Sequence, residues 1–178
     1  EADESDGSFL HIHSNVAVVT NIDHDHVENY GSDFEKLKQS FLSFLEQKHS
    51  SGAAVVCIDD PVVRSLVPTI PGEVVTYGAH PDADVRVKDY LQSGMTSTFK
   101  VQVFEKQYDV NLSLAGEHNM LNALAAIAVM QVLSLDVEQG VKALATFPGV
   151  TRRLQQLGLI ETNSRSIPVY EDYGHHPV

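Results

Sequence analysis

The residues best suited to chemistry fall in four short stretches. The first is Thr20-Asn21-Ile22-Asp23-His24-Asp25-His26, directly after the apolar run Val16 to Val19. A short branched apolar run reads as a buried strand, and ligands in open α/β sheets bind at the carboxyl ends of strands. His24, Asp25 and His26 at such an end have three readings: a divalent-metal site, a proton shuttle, or a solvated loop. Imidazole and carboxylate suit divalent metals generally, so the residue types do not choose Mg²⁺ over Zn²⁺. His11-Ile12-His13 adds an H-x-H pair of the kind some zinc hydrolases use, but Ser14-Asn15 follows where the common hydrolase pattern continues with Asp-His. A zinc hydrolase using this cluster is the alternative from another class.

The second stretch is His118-Asn119 with Asn122. Asn119 and Asn122 are three residues apart and share one helix face. They serve either as an N-cap plus one satisfied polar contact, or as amides that hydrogen-bond a heterocycle such as adenine near a helix N-terminus, which favours negative charge. The third is the adjacent pair Arg152-Arg153, in a chain with only 12 Lys and Arg. It is either exposed surface charge or a phosphate clamp through paired guanidinium donors. The last is Asp172-Tyr173-Gly174-His175-His176-Pro177, which on spacing alone is a polar turn.

These stretches need elements to hold them. After the first strand, Ser32-Asp33-Phe34-Glu35 predicts a capping box, with Ser32 as N-cap and Glu35 at N3. Phe34, Leu37, Phe41, Leu42 and Leu45 recur at helical spacing, giving a helix to about Lys48. Ala53 to Ile58 reads as a second buried strand, Asp59-Asp60-Pro61 starts a short helix through Leu66, and Val74 to Tyr77 reads as a third strand. Such β-α-β-α-β alternation implies a mostly parallel sheet flanked by helices, with right-handed crossovers. From Asp84 the pattern becomes alternating apolar and polar, over Val85–Val87, Thr98–Phe104 and Tyr108–Leu112. That predicts a small antiparallel β meander with one wet face. Met120 to Leu133 is apolar nearly all round and is expected as a buried helix. A second helix is expected from Asp136, with Gln139 at N3, to Phe147. Pro148-Gly149 is the linker candidate, and Leu154 to Ile160 and Ile167 to Tyr170 read as strands beyond it.

Bulk properties narrow the function classes. A 43% hydrophobic and 20% charged composition is ordinary for a globular protein, and no apolar run reaches the roughly 20 residues of a membrane helix. The single cysteine, Cys57, lies inside an apolar strand and has no partner for an internal disulfide, which fits a reducing, cytoplasmic setting. A net charge of −12 argues against binding nucleic acid, which requires basic surface. A phosphate-bearing small molecule is compatible if a metal ion or local arginines offset the surrounding field.

Taken together, Glu1-Ala2-Asp3-Glu4-Ser5-Asp6, Thr20-Asn21-Ile22-x-x-Asp25-His26-x-x-x-Tyr30-Gly31, Gly116-x-His118-Asn119-x-x-Asn122-Ala123, Arg152-Arg153 and Asp172-Tyr173-Gly174-His175-His176-Pro177 resemble the Mur ligase family of peptidoglycan synthesis. Each motif alone is weak; five in register across nearly the whole chain are specific. The resemblance implies a P-loop-type central ATP-binding domain over residues 1–148 and the beginning of a C-terminal amino-acid-binding domain over residues 149–178. It is nearest to the member that joins L-alanine to UDP-N-acetylmuramate, with the murein tripeptide recycling ligase as the sibling alternative. ATP and Mg²⁺ are the implied cofactors, UDP-N-acetylmuramate and L-alanine the substrates, and the bacterial cytoplasm the location.

By motif position, the resemblance implies Glu1 and His26 as Mg²⁺ ligands. Asn119 and Asn122 would meet the adenine, with His118 beside them, and Arg153 would reach the phosphates, with Asp172 and His175 closing over nucleotide and substrate. The sequence also departs from the family pattern. Its Gly-rich phosphate loop with a Lys-Thr pair lies upstream of these residues, so the chain alone is expected to turn over no ATP. His24 is an extra imidazole, Glu28 stands where Asp is usual, and Leu154-Gln155 replaces a Phe-acidic pair. Ser40 and Phe41 occupy the region where some relatives carry a carbamylated lysine, so none is expected.

Overall fold

The structure, a computed structural model, describes residues 4–174. Its core is a six-stranded sheet in the order β1 (Val16–Val19), β2 (Ala53–Cys57), β3 (Glu73–Gly78), β4 (Val85–Ser93), β5 (Thr96–Val103) and β6 (Lys106–Leu112). The first four strands pair in parallel; β4 with β5 and β5 with β6 are antiparallel. The expected meander is therefore not a separate sheet. Tyr77↔Val85 and Gly78↔Arg86 join it to β3, so one hydrogen-bonded surface runs from edge to edge.

Every residue of β2 is buried, as a strand covered on both faces requires. Its side chains divide by the two-residue period: Val55 and Cys57 enter one core, Ala54 and Val56 the other. The second core is closed by α1 (Phe34–Glu46) through Leu37 and Leu45, and by α2 (Pro61–Leu66) through Val63. Phe9 wedges between Phe41 and Phe44, with ring centroids at 5.3 and 5.4 Å, tying the N-terminal segment to α1. The first core is closed by α3 (Glu117–Val132) and α4 (Val137–Leu144). The meander follows the expected alternation, with Phe99, Val101 and Val103 of β5 buried against that core.

Helix starts show where short-range pattern was sufficient. Asp136 caps α4 as expected, accepting Gln139 N–H at 3.2 Å. The capping box at α1 is shifted by one residue. Gly31 and Ser32 both take left-handed backbone (φ 70° and 58°), so Ser32 cannot adopt the extended N-cap conformation. Asp33 adopts it and accepts Glu35 N–H at 3.0 Å, while the Glu35 carboxylate pairs with Lys38 at 3.0 Å. Lys48, just past the end of α1, is buried; its ammonium donates to the carbonyls of Leu45, at 3.3 Å, and Pro71.

Beyond α4 the chain forms a separate antiparallel pair, β7 (Gln155–Glu161) and β8 (Ser166–Glu171). Its side chains are almost all exposed, Leu157, Leu159 and Ile160 included. Among the described residues no helix is long and apolar enough to cross a membrane. Leu124 of α3 has no exposed surface and sits at the centre of the first core. Leu124→Ala is expected to cost about 2–5 kcal/mol, read as a lowered urea midpoint with unchanged slope.

Candidate functional site

The loop after β1 brings part of the first sequence cluster together. His26 takes left-handed backbone (φ 53°), and its N–H is accepted by Asp25 Oδ1 at 3.0 Å. The turn aims its ring back at the N-terminal segment, with Nδ1 3.0 Å from Glu4 Oε1 and 3.9 Å from Asp25 Oδ2. Tyr30 donates its hydroxyl to the Glu4 carbonyl, so Glu4 is held at both side chain and backbone. The Glu4 hydrogen bond raises the His26 pKa above the ordinary imidazole value; desolvation opposes this, and the Asp25 charge reinforces it. His24 goes elsewhere, stacking on Phe34 with ring centroids 3.8 Å apart and planes 10° apart. Glu1, expected as the other metal ligand, lies outside the described residues.

Among the described residues no group of three or more His, Cys, Asp or Glu side chains is assembled to hold a metal. Of the H-x-H pair, His13 lies with Nδ1 3.4 Å from the Gln47 carbonyl. The zinc-hydrolase reading gains no support from this arrangement.

The second stretch begins α3. Its N-cap is Gly116, at φ 97°, and not Asn119. A Cβ there would lie 2.5 Å from His118 Cε1, so glycine lets the His118 ring fold over the helix start. Asn119 lies within the first turn and donates Nδ2–H to the Ala115 carbonyl at 2.7 Å. Asn122, Ala123 and Ala126 continue the same face. The segment before α3 is held on both sides: the buried Ser97 hydroxyl donates to the Leu114 carbonyl at 2.9 Å, and Ser113 to Ala145 at 2.6 Å.

The third and fourth stretches meet at the base of the β7–β8 hairpin. Gly149, Arg152 and Leu154 all have positive φ (87°, 60° and 47°), giving a tightly wound turn around Arg153. Asp172 clasps it, with Oδ2 accepting Leu154 N–H and Oδ1 accepting Gly174 N–H, each at 2.7 Å. Tyr173 N–H donates to the Arg152 carbonyl, also at 2.7 Å. The Arg153 guanidinium carbon lies 6.0 Å from the Tyr173 ring centroid, the outer range of a cation–π contact.

Between that turn and α3 lies a cavity of about 1020 Å³, large enough for a nucleotide-sized ligand. His118, Asn119 and Asn122 line one wall; Arg153 and Asp172 line the other. The structure thus gathers five expected site residues that lie 54 positions apart at the extremes. His26 does not line this cavity, and His175 lies outside the described residues. Sequence reasoning missed the apolar walls: Leu112 and Leu114 at the end of β6, and Phe147 and Val150 flanking Pro148-Gly149. The recurrence Asn119, Asn122, Ala123, Ala126 was the available signal, since it marks a face of small and polar side chains on an otherwise apolar helix.

The Mur ligase middle domain profile matches residues 2–130. The chain belongs to the Mur ligase middle-domain family. Solved structures with the same fold include the UDP-N-acetylmuramate-alanine ligase MurC of Thermotoga maritima, 29% identical with a TM-score of 0.82, over 99% of this chain and 39% of that one. MurF of Acinetobacter baumannii superposes at TM-score 0.76 and 22% identity, over 92% of this chain and 35% of its own. The Neisseria UDP-N-acetylmuramate:L-alanyl-γ-D-glutamyl-meso-diaminopimelate ligase matches at 0.72 and 25%, over 85% and 48%. This Mur ligase chain therefore spans between about a third and half of the length of these relatives.

In this Mur ligase chain the amides of Gly174 and Leu154 hold the Asp172 carboxyl below the usual carboxylate pKa. A depressed folded pKa makes the clasp complete above the ordinary aspartate value and loses it as pH falls through the lowered one. Amide exchange at Leu154 and Gly174, corrected for intrinsic rates, is expected to accelerate through that acidic window. Asp172→Asn should abolish the dependence.

Proposed function

We propose that this chain is the central nucleotide-binding part of an ATP-dependent ligase that joins the carboxylate of UDP-N-acetylmuramate to L-alanine in peptidoglycan synthesis, in the bacterial cytoplasm. The observation that carries the reading is the cavity with Asn119 and Asn122 on one wall and Arg153 on the other. Apolar walls with a few fixed amides suit a heterocyclic base, and a guanidinium suits a phosphate chain. In a chain of net charge −12, Arg153 is the one Lys or Arg among the described residues that line the cavity, and an anionic ligand needs it. A 24%-identical MurF from Thermotoga maritima was crystallised with ADP, which agrees with the use of ATP. On this reading residues 1–148 are the central domain, and residues 149–178 begin the C-terminal amino-acid-binding domain, with Asp172 and His175 closing over the ligands.

The reaction on this reading has two steps. The substrate carboxylate attacks the γ-phosphorus of ATP, giving an acyl phosphate and ADP. The amine of alanine then adds to the acyl carbon, and the tetrahedral adduct collapses to the amide and inorganic phosphate, releasing a proton. Arg153 offsets charge on the phosphates as it shifts during transfer. On this reading Mg²⁺ would be held at His26 with Glu1. Mg²⁺ takes one or two carboxylates, the part Glu1 would supply, and completes its shell with phosphate and water. A carboxylate on the opposite ring nitrogen, as Glu4 is on His26 Nδ1, is the usual support of a metal-ligating histidine. When bound, the ion would neutralise phosphate charge.

The recycling ligase that adds a whole tripeptide is the second reading, favoured by the 25% identity to the Neisseria tripeptide ligase; the 29% identity to the alanine-adding enzyme favours the first. Full-length enzyme assayed with UDP-N-acetylmuramate should release phosphate with L-alanine and not with L-alanyl-γ-D-glutamyl-meso-diaminopimelate; the reverse preference selects the second reading. Asn122→Ala is expected to raise KM for ATP about tenfold, the value of one buried polar contact, at unchanged melting temperature. An unchanged KM would remove the adenine assignment. His26→Ala should lower turnover at saturating ATP without unfolding the protein, and wild-type turnover at saturating Mg²⁺ would refute its metal role.

A further inference from the structure

The helix that carries the amide wall of the cavity is the one whose start is fixed from outside. Asp33, Asp60 and Asp136 cap α1, α2 and α4 with their own carboxylates, whereas Gly116 begins α3 with no side-chain cap. The meander grips the preceding segment instead. Gln92 Oε1 accepts the Gly116 N–H at 3.1 Å, and the Ser97 hydroxyl donates to the Leu114 carbonyl at 2.9 Å. Because the Ser97 proton is committed to Leu114, the Tyr90 hydroxyl is the donor within this group, 3.2 Å from Ser97 Oγ and 3.3 Å from Gln92 Oε1. Between the two gripped residues lies Ala115, whose carbonyl accepts Asn119 Nδ2–H at 2.7 Å. That bond orients the Asn119 amide and leaves its Oδ1 and second N–H available.

A β-bulge makes the grip possible. Val87 pairs with Val101 and Gln92 with Ser97, the register shifts between Lys88 and Leu91, and Asp89 takes left-handed backbone (φ 53°). One extra residue in β4 reverses its alternation of faces. Tyr90 then packs beside Phe99, with ring centroids at 6.4 Å, Gln92 joins the side of the buried Ser97, and Leu91 is turned out, 65% exposed. Unbroken pairing would bury Leu91 and put Gln92 on the wet face, so the bulge forgoes apolar burial and gains the bonds to the start of α3. We propose that Gln92, with Ser97, is a positioning residue of the nucleotide cavity: it fixes the Leu114–Gly116 segment, and so the Ala115 carbonyl that orients Asn119. The role rests on the nucleotide reading of that cavity. Neither Gln92 nor Ser97 lines the cavity, whereas Leu114 and Asn119 do, so both act through the segment they hold.

A double-mutant cycle in the full-length enzyme tests it, with Gln92→Leu, Asn119→Ala and the pair, each read as KM for ATP, kcat at saturating ATP and melting temperature. Gln92→Leu is expected to raise KM for ATP about fivefold at unchanged kcat and melting temperature, and the double variant to be no worse than Asn119→Ala alone. Gln92→Glu, which keeps an acceptor oxygen for the Gly116 amide, should restore a near wild-type KM. Gln92→Ala replaces the leucine variant in the cycle if that variant does not fold. A wild-type KM in Gln92→Leu beside a raised one in Asn119→Ala overturns the positioning role and leaves the nucleotide reading intact. Multiplicative effects in the pair overturn it too, because Gln92 would then act by a route other than Asn119. Falls in kcat and melting temperature that Gln92→Glu does not rescue mark a merely structural contact, with the same consequence. A wild-type KM in Asn119→Ala overturns the nucleotide reading of this wall, and the positioning role with it.

Discussion

The rest of the molecule depends on how closely α3 packs on the sheet. Its buried face is built from Ala123, Leu124, Ala125, Ile127 and Ala128 with Met120, and it rests on β2 and β3. Alanines bring the helix axis close to the strands, and the large residues Met120, Leu124 and Ile127 fill the space between them. Close packing extends to α4, where a Cβ on Gly140 would fall 2.2 Å from the Met130 sulfur. Because α3 cannot shift without opening this core, its first turn is a rigid platform. Asn119 and Asn122 inherit that rigidity.

The opposite wall of the cavity is held by other means. Among the described residues the turn at Arg153 belongs to neither buried core, and the β7–β8 hairpin exposes most of its side chains. What defines it is a set of short hydrogen bonds to backbone, made by Asp172 and Tyr173. One wall is thus fixed by burial and the other by polar clasping, so the second is the wall that yields first to acid or to loss of a single side chain.

The His26 loop is a third unit with its own logic. It is anchored to α1 by the His24–Phe34 stack and to the N-terminal segment by the Glu4 contacts. The extra imidazole at position 24 therefore has a packing role, while His26 keeps the carboxylate contact. Its place beyond the carboxyl end of β1 follows from parallel topology, which sends every β-to-α loop of this sheet to the same edge.

Much of this was legible from residue order. Strand and helix identities followed from period: continuous apolar runs for β2, alternation for β5 and β6, and all-round hydrophobicity for α3. The α4 cap was readable because Asp136 and Gln139 are local partners. His118, Asn119, Asn122, Arg153 and Asp172 were singled out by side-chain chemistry and family motif, both of which depend on residue type, and they line one cavity. Tertiary structure decided what depends on distant or conformational terms. It moved the α1 cap from Ser32 to Asp33, because left-handed backbone at Gly31 and Ser32 follows from the preceding turn. It moved the α3 cap from Asn119 to Gly116, whose left-handed backbone (φ 97°) favours glycine. It joined the meander to β3, turned His24 onto Phe34, and committed the Asp172 carboxylate to the turn around Arg153. Period and chemistry are written locally in the chain; which partner a side chain finds is settled by packing among residues far apart in sequence.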